Sequence, residues 1–300
     1  MAEALILLDG EMLESARAGR HNFIARLHAA ARSGGMEVRY EPDGGLGRAR
    51  AMLPGVHAAV HMGKPVGASG VTLRRAIRYP FWTIERTNLR WEWDVARAAF
   101  ERARGPEPER FAAFWRERLM EGPAMRGDAV LVPLQGRLGA KRSFQTMSPV
   151  EMVRRVLEVT DRPVIVTLHP NETHTEEEMR PLLALAVEHS GRMRLETGGA
   201  ERHLRACAFV ATMNSSVAFL GYLMGRPAAL FARAEFHHLA ANVSELGAVR
   251  ALWTAEDMVA ERPDFDGYVH WFWQLGCVNA GRPEAEERIA GRLRAAGWPL

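Results

Sequence analysis

Residues 129–134 read Ala-Val-Leu-Val-Pro-Leu and contain no polar side chain. A strand open to water on one side alternates, whereas a run apolar at every position fits a strand covered on both faces, as in parallel α/β sheets. Ser148-Pro149-Val150-Glu151 then reads as a capping box with proline at the first helical position, so a helix starts there. Val164–Leu168 is a second buried strand. Thr175-Glu176-Glu177-Glu178 caps another helix in the same way, with Met179, Leu182, Leu183 and Ala186 on its inner face. Phe209–Met213 and Ala228–Phe231 supply two more strands. Apolar strands alternating with capped helices predict a doubly wound parallel sheet.

The same rhythm runs upstream. Ala4–Leu8 is a short buried strand ended by Asp9-Gly10, and Phe23, Ile24, Leu27 and Ala31 recur at helical spacing before Gly34-Gly35. Met36–Glu41, His57–His61 and Phe81–Glu85 read as strands, and Trp93–Arg102 and Pro108–Met120 as amphipathic helices. Glu121–Asp128, with two glycines and a proline, reads as a linker. The predicted fold class is therefore α/β, with two facing doubly wound Rossmann-like domains, residues 1–125 and 126–300. Pro283–Trp298 is expected to form a terminal helix with Ile289 and Leu293 on one face. Tyr268, Trp271, Phe272 and Trp273 are expected to pack in a core, since large aromatics dominate buried area.

Composition narrows the classes. A chain of 300 residues, 47% hydrophobic and 25% charged, is neither wholly disordered nor dependent on covalent staples. Its two cysteines, Cys207 and Cys277, exclude a disulfide scaffold and a cysteine-only zinc site. The longest apolar runs are too short to cross a bilayer, and Ala4–Leu8 runs into Asp9 without a secretory cleavage pattern. A soluble, cytoplasmic protein is expected. The net charge is only +3 and the acids are interspersed among arginines. The densest basic patch, Arg74, Arg75 and Arg78, is short, so nucleic acid is not an expected partner. No GxGxxG, GxSxG or HExxH pattern occurs. The adjacent His237-His238 pair falls on different faces of any regular element, so no metal site is expected.

Ligands of open parallel sheets sit beyond the carboxyl ends of strands, which directs attention to the residues just after each strand. His169-Pro170 follows Val164–Leu168, with proline biasing the histidine toward an extended conformation. It is either a donor to a nucleotide phosphate or a turn histidine. Asn214-Ser215-Ser216 follows Phe209–Met213 and begins a helix; these residues serve as N-caps, as an anion site, or as both. Gln135-Gly136 opens the loop after residues 129–134 and would let backbone approach a ligand.

Taken in order, Val132-Pro133-Leu134-Gln135, the capped helix, His169-Pro170, Asn214-Ser215-Ser216 and Gly225-Arg226-Pro227 resemble the capsule polysaccharide biosynthesis family. Characterised members of that family are GT-B-fold transferases of Kdo from CMP-Kdo, and the resemblance covers a little over a third of the chain. It implies that His169, Pro170, Asn214, Ser215 and Ser216 bind CMP, with Gln135 and Gly136 lining the same cleft. His169 would then stabilise the charge of departing CMP. The chain departs from the family in carrying Gly139 and Ala140 where an acidic residue is common. An acceptor hydroxyl also requires a base from the first domain. Asp9, which follows the first strand, is the chosen candidate, with Asp43 and Glu85 as competitors and a turn-forming role open for each. Lys64, Arg74 and Arg78 would receive an acidic glycan or lipid phosphate, or else form a solvated basic helix face. The resemblance implies a nucleotide-sugar donor and no other cofactor or metal, a glycan or glycolipid acceptor, and peripheral association with polysaccharide assembly proteins at the inner face of a membrane. A non-catalytic partner of that machinery and a sugar-nucleotide epimerase or hydrolase are the rival readings.

Overall fold

Ala4–Leu8 are fully buried, and in the computed structural model, which describes residues 2–300, they form most of strand β1 (Glu3–Leu8). The remaining strands are β2 (Glu37–Pro42), β3 (Val56–His61), β4 (Val71–Arg75), β5 (Phe81–Glu85), β6 (Ala129–Pro133), β7 (Val164–Leu168), β8 (Met193–Thr197), β9 (Cys207–Thr212), β10 (Ala228–Leu230), β11 (Ala241–Asn242) and β12 (Val278–Asn279). They build two six-stranded sheets, in the orders β12-β5-β4-β3-β1-β2 and β11-β10-β9-β6-β7-β8. The expected α/β class with two parallel-sheet Rossmann-like units is the one observed.

The first unit runs to Ala98 and is completed by Phe272–Leu300. β2, β1, β3 and β4 are mutually parallel, while β5 runs antiparallel to β4 and β12 antiparallel to β5. Both faces are covered, which is why Ala4–Leu8 is apolar throughout. Ala4, Ile6 and Leu8 pack with Phe23, Ile24 and Leu27 of helix Asn22–Ser33 and with Ile289 and Leu293 of helix Ala285–Ala295. Leu5 and Leu7 pack on the other face with Ala58 and Val60. Each of these leucine, isoleucine, valine and phenylalanine side chains contributes about 1.5–3 kcal/mol relative to its exposed state. Trp82 stacks on Phe23 at 4.5 Å and Phe81 on Trp273 at 4.7 Å.

The second unit is Ala99–Trp271. All five strand pairings in its sheet are parallel. Counted from its own first strand, the order is 3-2-1-4-5-6, so the connection reverses direction between β6 and β9. Helix Pro149–Val159 begins at the predicted capping box and buries Val150, Met152, Val153, Val156 and Leu157. Helix Glu176–Glu188 likewise starts at its predicted box.

Several expectations are corrected. The expected boundary at residues 125 and 126 is replaced by Ala98 and Ala99, and the tail returns to the first unit. β12 extends the first sheet, and the terminal helix is needed to cover it. Residues 99–120 belong to the second unit because helix Glu107–Leu119 packs there: Phe111 meets His270 edge-on at 5.3 Å, and Arg116 pairs with Asp266 at 2.6 Å. The stretch 121–128 is no free linker. Met125 N–H donates to the Arg205 carbonyl at 2.7 Å, and a Cβ on Gly127 would lie 1.5 Å from the Ala206 carbonyl oxygen. The predicted helix Trp93–Arg102 reduces to the single turn Asp94–Arg97. Arg74 and Arg75 lie on β4, a strand too short for its alternation to register in the sequence, so the basic helix face does not exist. His237 and His238 sit in a turn rather than a regular element, and their rings stack at 4.3 Å instead of diverging.

Candidate functional site

In the second sheet the strand register sets the geometry. Pro133 of β6 pairs with Thr167 of β7. Continuing the Leu131–Val210 register by two residues brings Thr212 of β9 to the other side of Pro133, and the Thr212 hydroxyl donates to the Pro133 carbonyl at 2.8 Å. Thr167, Pro133 and Thr212 therefore form one row, with neighbouring strands about 4.8 Å apart. His169, Gln135 and Asn214 each stand two residues beyond it. The direction reversal between β6 and β9 makes this carboxyl edge the place where an open α/β sheet receives a ligand. All of the predicted nucleotide residues lie along it, with the β6 loop between the His169 and Ser215–Ser216 segments.

Local bonding assigns a role to each side chain. Asn171 N–H donates to His169 Nδ1 at 3.2 Å. Nδ1 is thus an acceptor, and the neutral ring carries its proton on Nε2, where it is available to an anion. Ser215 is the N-cap of helix Ser216–Leu223: its hydroxyl accepts from Val217 N–H at 3.3 Å and is buried. Ser216 is half-buried in the first turn, where the positive end of the helix favours negative charge. Asn214 Nδ2 donates to the Arg233 carbonyl at 3.1 Å, tying the end of β9 to the loop after β10. Pro170 is exposed, and its ring lies against Gly198 after β8.

Gly136 has φ +73°, in the left-handed region, and a Cβ there would come within 2.6 Å of Arg142 Nη2. Its N–H donates to Glu172 Oε2 at 2.6 Å. The same carboxylate oxygen lies 4.0 Å from His174 Nε2; that side chain is 7% exposed and the Nε2 atom has no hydrogen-bond partner. Glu172, His174 and Arg142 were missed in the sequence. Glu172 and His174 follow the His-Pro pair within five residues, and only their tertiary contact with the β6 loop distinguishes them from turn residues.

The first sheet has its own reversal, between β1 and β3. Asp9, just after β1, is the N-cap of helix Gly10–Arg17: its Oδ1 accepts from Met12 N–H at 3.2 Å. Its Oδ2 meets Nδ1 of His61, the last residue of β3, at 2.9 Å. The Asp9 side chain is 62% exposed and that of His61 only 11%. His21, the N-cap of helix Asn22–Ser33, approaches Trp82 edge-on at 5.4 Å. Burial holds its imidazole below the usual histidine range, with the charge of nearby His61 adding to the depression and Asp9 opposing it. His61 was missed, although the rule that singled out Asp9 applies equally to a strand ending in histidine.

The competing bases are otherwise engaged. Asp43 holds Arg48 in a two-pronged ion pair, Nε at 2.6 Å and Nη2 at 2.8 Å. Glu85 is 4% exposed and shares a register row with Thr72, Val60 and Leu7, three strands from β1. Its carboxylate accepts from Asp94 N–H at 3.0 Å, and burial pushes its pKa up to about 7. Lys64 follows β3 and is exposed, its carbonyl taking a bond from Arg48 Nη1 at 3.3 Å. Arg74 is half-buried near the end of β4, and Arg78 lies in the turn to β5. Among the described residues, no group of three or more His, Cys, Asp or Glu side chains is arranged to hold a metal ion, and no helix is long and apolar enough to cross a membrane.

No protein-family model matches the chain, and no curated protein matches its sequence. Among solved structures, the KpsC beta Kdo 2,7 transferase of Thermosulfurimonas dismutans is similar at a TM-score of 0.50 and 11% identity, over 80% of this chain and 82% of that one. The beta Kdo 2,4 transferase of KpsC from the same organism gives a TM-score of 0.42 at 12% identity, over 90% of each chain. The UDP-GlcNAc 2-epimerase of Methanocaldococcus jannaschii gives 0.37 at 10% identity, over 98% and 100%. The latter two scores are too low to carry an argument. At 11% identity the first is a likeness of fold: this chain and that transferase share an α/β architecture of two parallel-sheet Rossmann-like units.

Proposed function

We propose that this chain is a glycosyltransferase that takes a sugar from a nucleotide-activated donor, with cytidine monophosphate as the nucleotide and Kdo or a related acidic sugar as the transferred group, in surface polysaccharide assembly. One observation carries the reading. His169, Gln135-Gly136 and Asn214-Ser215-Ser216 fall on three neighbouring strands, just beyond a common register row, at the reversal of a 3-2-1-4-5-6 sheet. The motif order shared with the capsule polysaccharide biosynthesis family and the shared fold support it. In this reading the Nε2–H of His169 and the start of helix Ser216–Leu223 face the donor phosphate and stabilise the charge that develops as the nucleotide departs. Gln135 and Gly136 border the nucleotide, and Asn214 and Ser215 hold the loop in shape. The acceptor, a glycan or glycolipid hydroxyl, is deprotonated by Asp9 of the first unit. Its partner His61 fixes the orientation of the carboxylate and takes up charge. Lys64, Arg74 and Arg78 are assigned to an acidic acceptor.

Calorimetric titration with CMP, UDP and GDP tests the reading. The wild-type chain is expected to bind CMP in preference to the others, and His169→Ala to weaken CMP by about 1–3 kcal/mol through loss of one charge-assisted bond. Equal CMP affinity in the two proteins overturns the site.

A further inference from the structure

The β6 loop is where a Rossmann-type sheet lets backbone N–H groups approach a ligand anion. Here that donor is already matched to a negative charge of the protein itself, since Gly136 N–H donates to Glu172 Oε2 at 2.6 Å. The carboxylate comes from the turn that begins with His169, so an anion is built between that turn and the β6 loop, which borders the nucleotide in the reading above. It is half-buried, and it is backed by the buried, unpartnered Nε2 of His174 at 4.0 Å. Arg142 flanks the loop from outside, its Nη2 3.5 Å from the Gln135 carbonyl oxygen. Its guanidinium lies over the Phe144 ring at 5.1 Å and is exposed.

We infer that Glu172 is a specificity-determining residue that restricts the site to donors carrying a single phosphate. This rests on the nucleotide reading of the same edge. One phosphate is served by His169 Nε2 and the Ser215–Ser216 helix start, with Glu172 keeping the amide between them. A second phosphate brings at least one more negative charge toward a carboxylate that is only a third exposed and is backed by the buried His174 side chain. Like charges brought together at short range in a partly buried site disfavour the wrong ligand, so that specificity is set by repulsion as well as by contacts.

The test is calorimetry of the full chain with CMP and CDP, using wild type, Glu172→Gln, Glu172→Asp and Arg142→Gln. Wild type is expected to prefer CMP by about tenfold or more. Glu172→Gln keeps an oxygen acceptor for the Gly136 amide and is expected to bring the two affinities together by tightening CDP. Glu172→Asp is expected to retain the preference, and Arg142→Gln to weaken both ligands alike. Wild type binding CDP as tightly as CMP overturns the inference without any variant. So does a Glu172→Gln protein that binds CMP with the preference unchanged. If neither nucleotide binds and the Gly136 amide resonance does not move on adding CMP, the nucleotide reading itself falls, and the inference with it.

Discussion

The carboxyl edges of the two sheets differ in what their polar side chains touch. In the second unit they mostly hold backbone: His169 takes the Asn171 amide, Ser215 the Val217 amide, Asn214 the Arg233 carbonyl and Glu172 the Gly136 amide. In the first unit side chains also hold one another, Asp9 meeting His61 besides capping Met12 N–H, and Asp43 meeting Arg48. Side chains spent on backbone shape a loop and leave a pre-organised set of donors, which suits binding. A carboxylate set against an imidazole can pass or hold a proton, which suits chemistry. In the proposed reading, recognition falls to the second unit and acid–base work to the first, and each prediction below breaks or sharpens that contrast.

The largest effect is expected from the dyad. Asp9→Asn and His61→Gln should each lower CMP release from a CMP-activated sugar by about 10²-fold or more while leaving calorimetric CMP affinity unchanged. A loss of CMP affinity in either variant would erase the division of labour. Next comes the buried acid that the first unit uses structurally. Burial raises Glu85 from its ordinary 4.5 to about 7, against the opposing bond from Asp94 N–H. Between those values the folded chain keeps a proton that the unfolded chain has lost, so stability falls as pH rises through the window. Glu85→Gln has no proton to lose. It should match wild type near pH 4.5 and exceed it by on the order of 2–3 kcal/mol above pH 7.5, read by urea unfolding at both pH values.

Ser215→Ala removes the N-cap of helix Ser216–Leu223 and is expected to cost about 1 kcal/mol in the same unfolding assay. Ser216→Ala should leave stability nearly unchanged and act on CMP affinity instead, separating scaffold from binding within two adjacent residues. The smallest effect is expected from Arg48→Ala. Its pair with Asp43 is partly exposed and screened by salt, so a loss of about 0.5 kcal/mol that shrinks in high salt is anticipated.

Local chemistry was sufficient for much of this. The mostly apolar strands β1, β6, β7 and β9 and the two capping boxes were legible because each is decided by residues within a few positions of one another. The strand-end rule placed His169, Gln135, Ser215 and Asp9 at carboxyl edges for the same reason. β4 escaped because five residues ending in two arginines carry too little alternation. β12 escaped because a two-residue strand exists only through its pairing with Trp82 and Phe81.

What no local reading could reach was pairing across the chain. The return of Phe272–Leu300 to the first unit, the meeting of Asp9 with His61 over 52 positions and that of Gly136 with Glu172 over 36 are long-range choices. They follow from which strands lie side by side, and strand order is set by burying both faces of each sheet, a condition satisfied only by the folded whole. Sequence alone determined where backbone turns and which side chains stand at the turns; tertiary structure decided which of them touch.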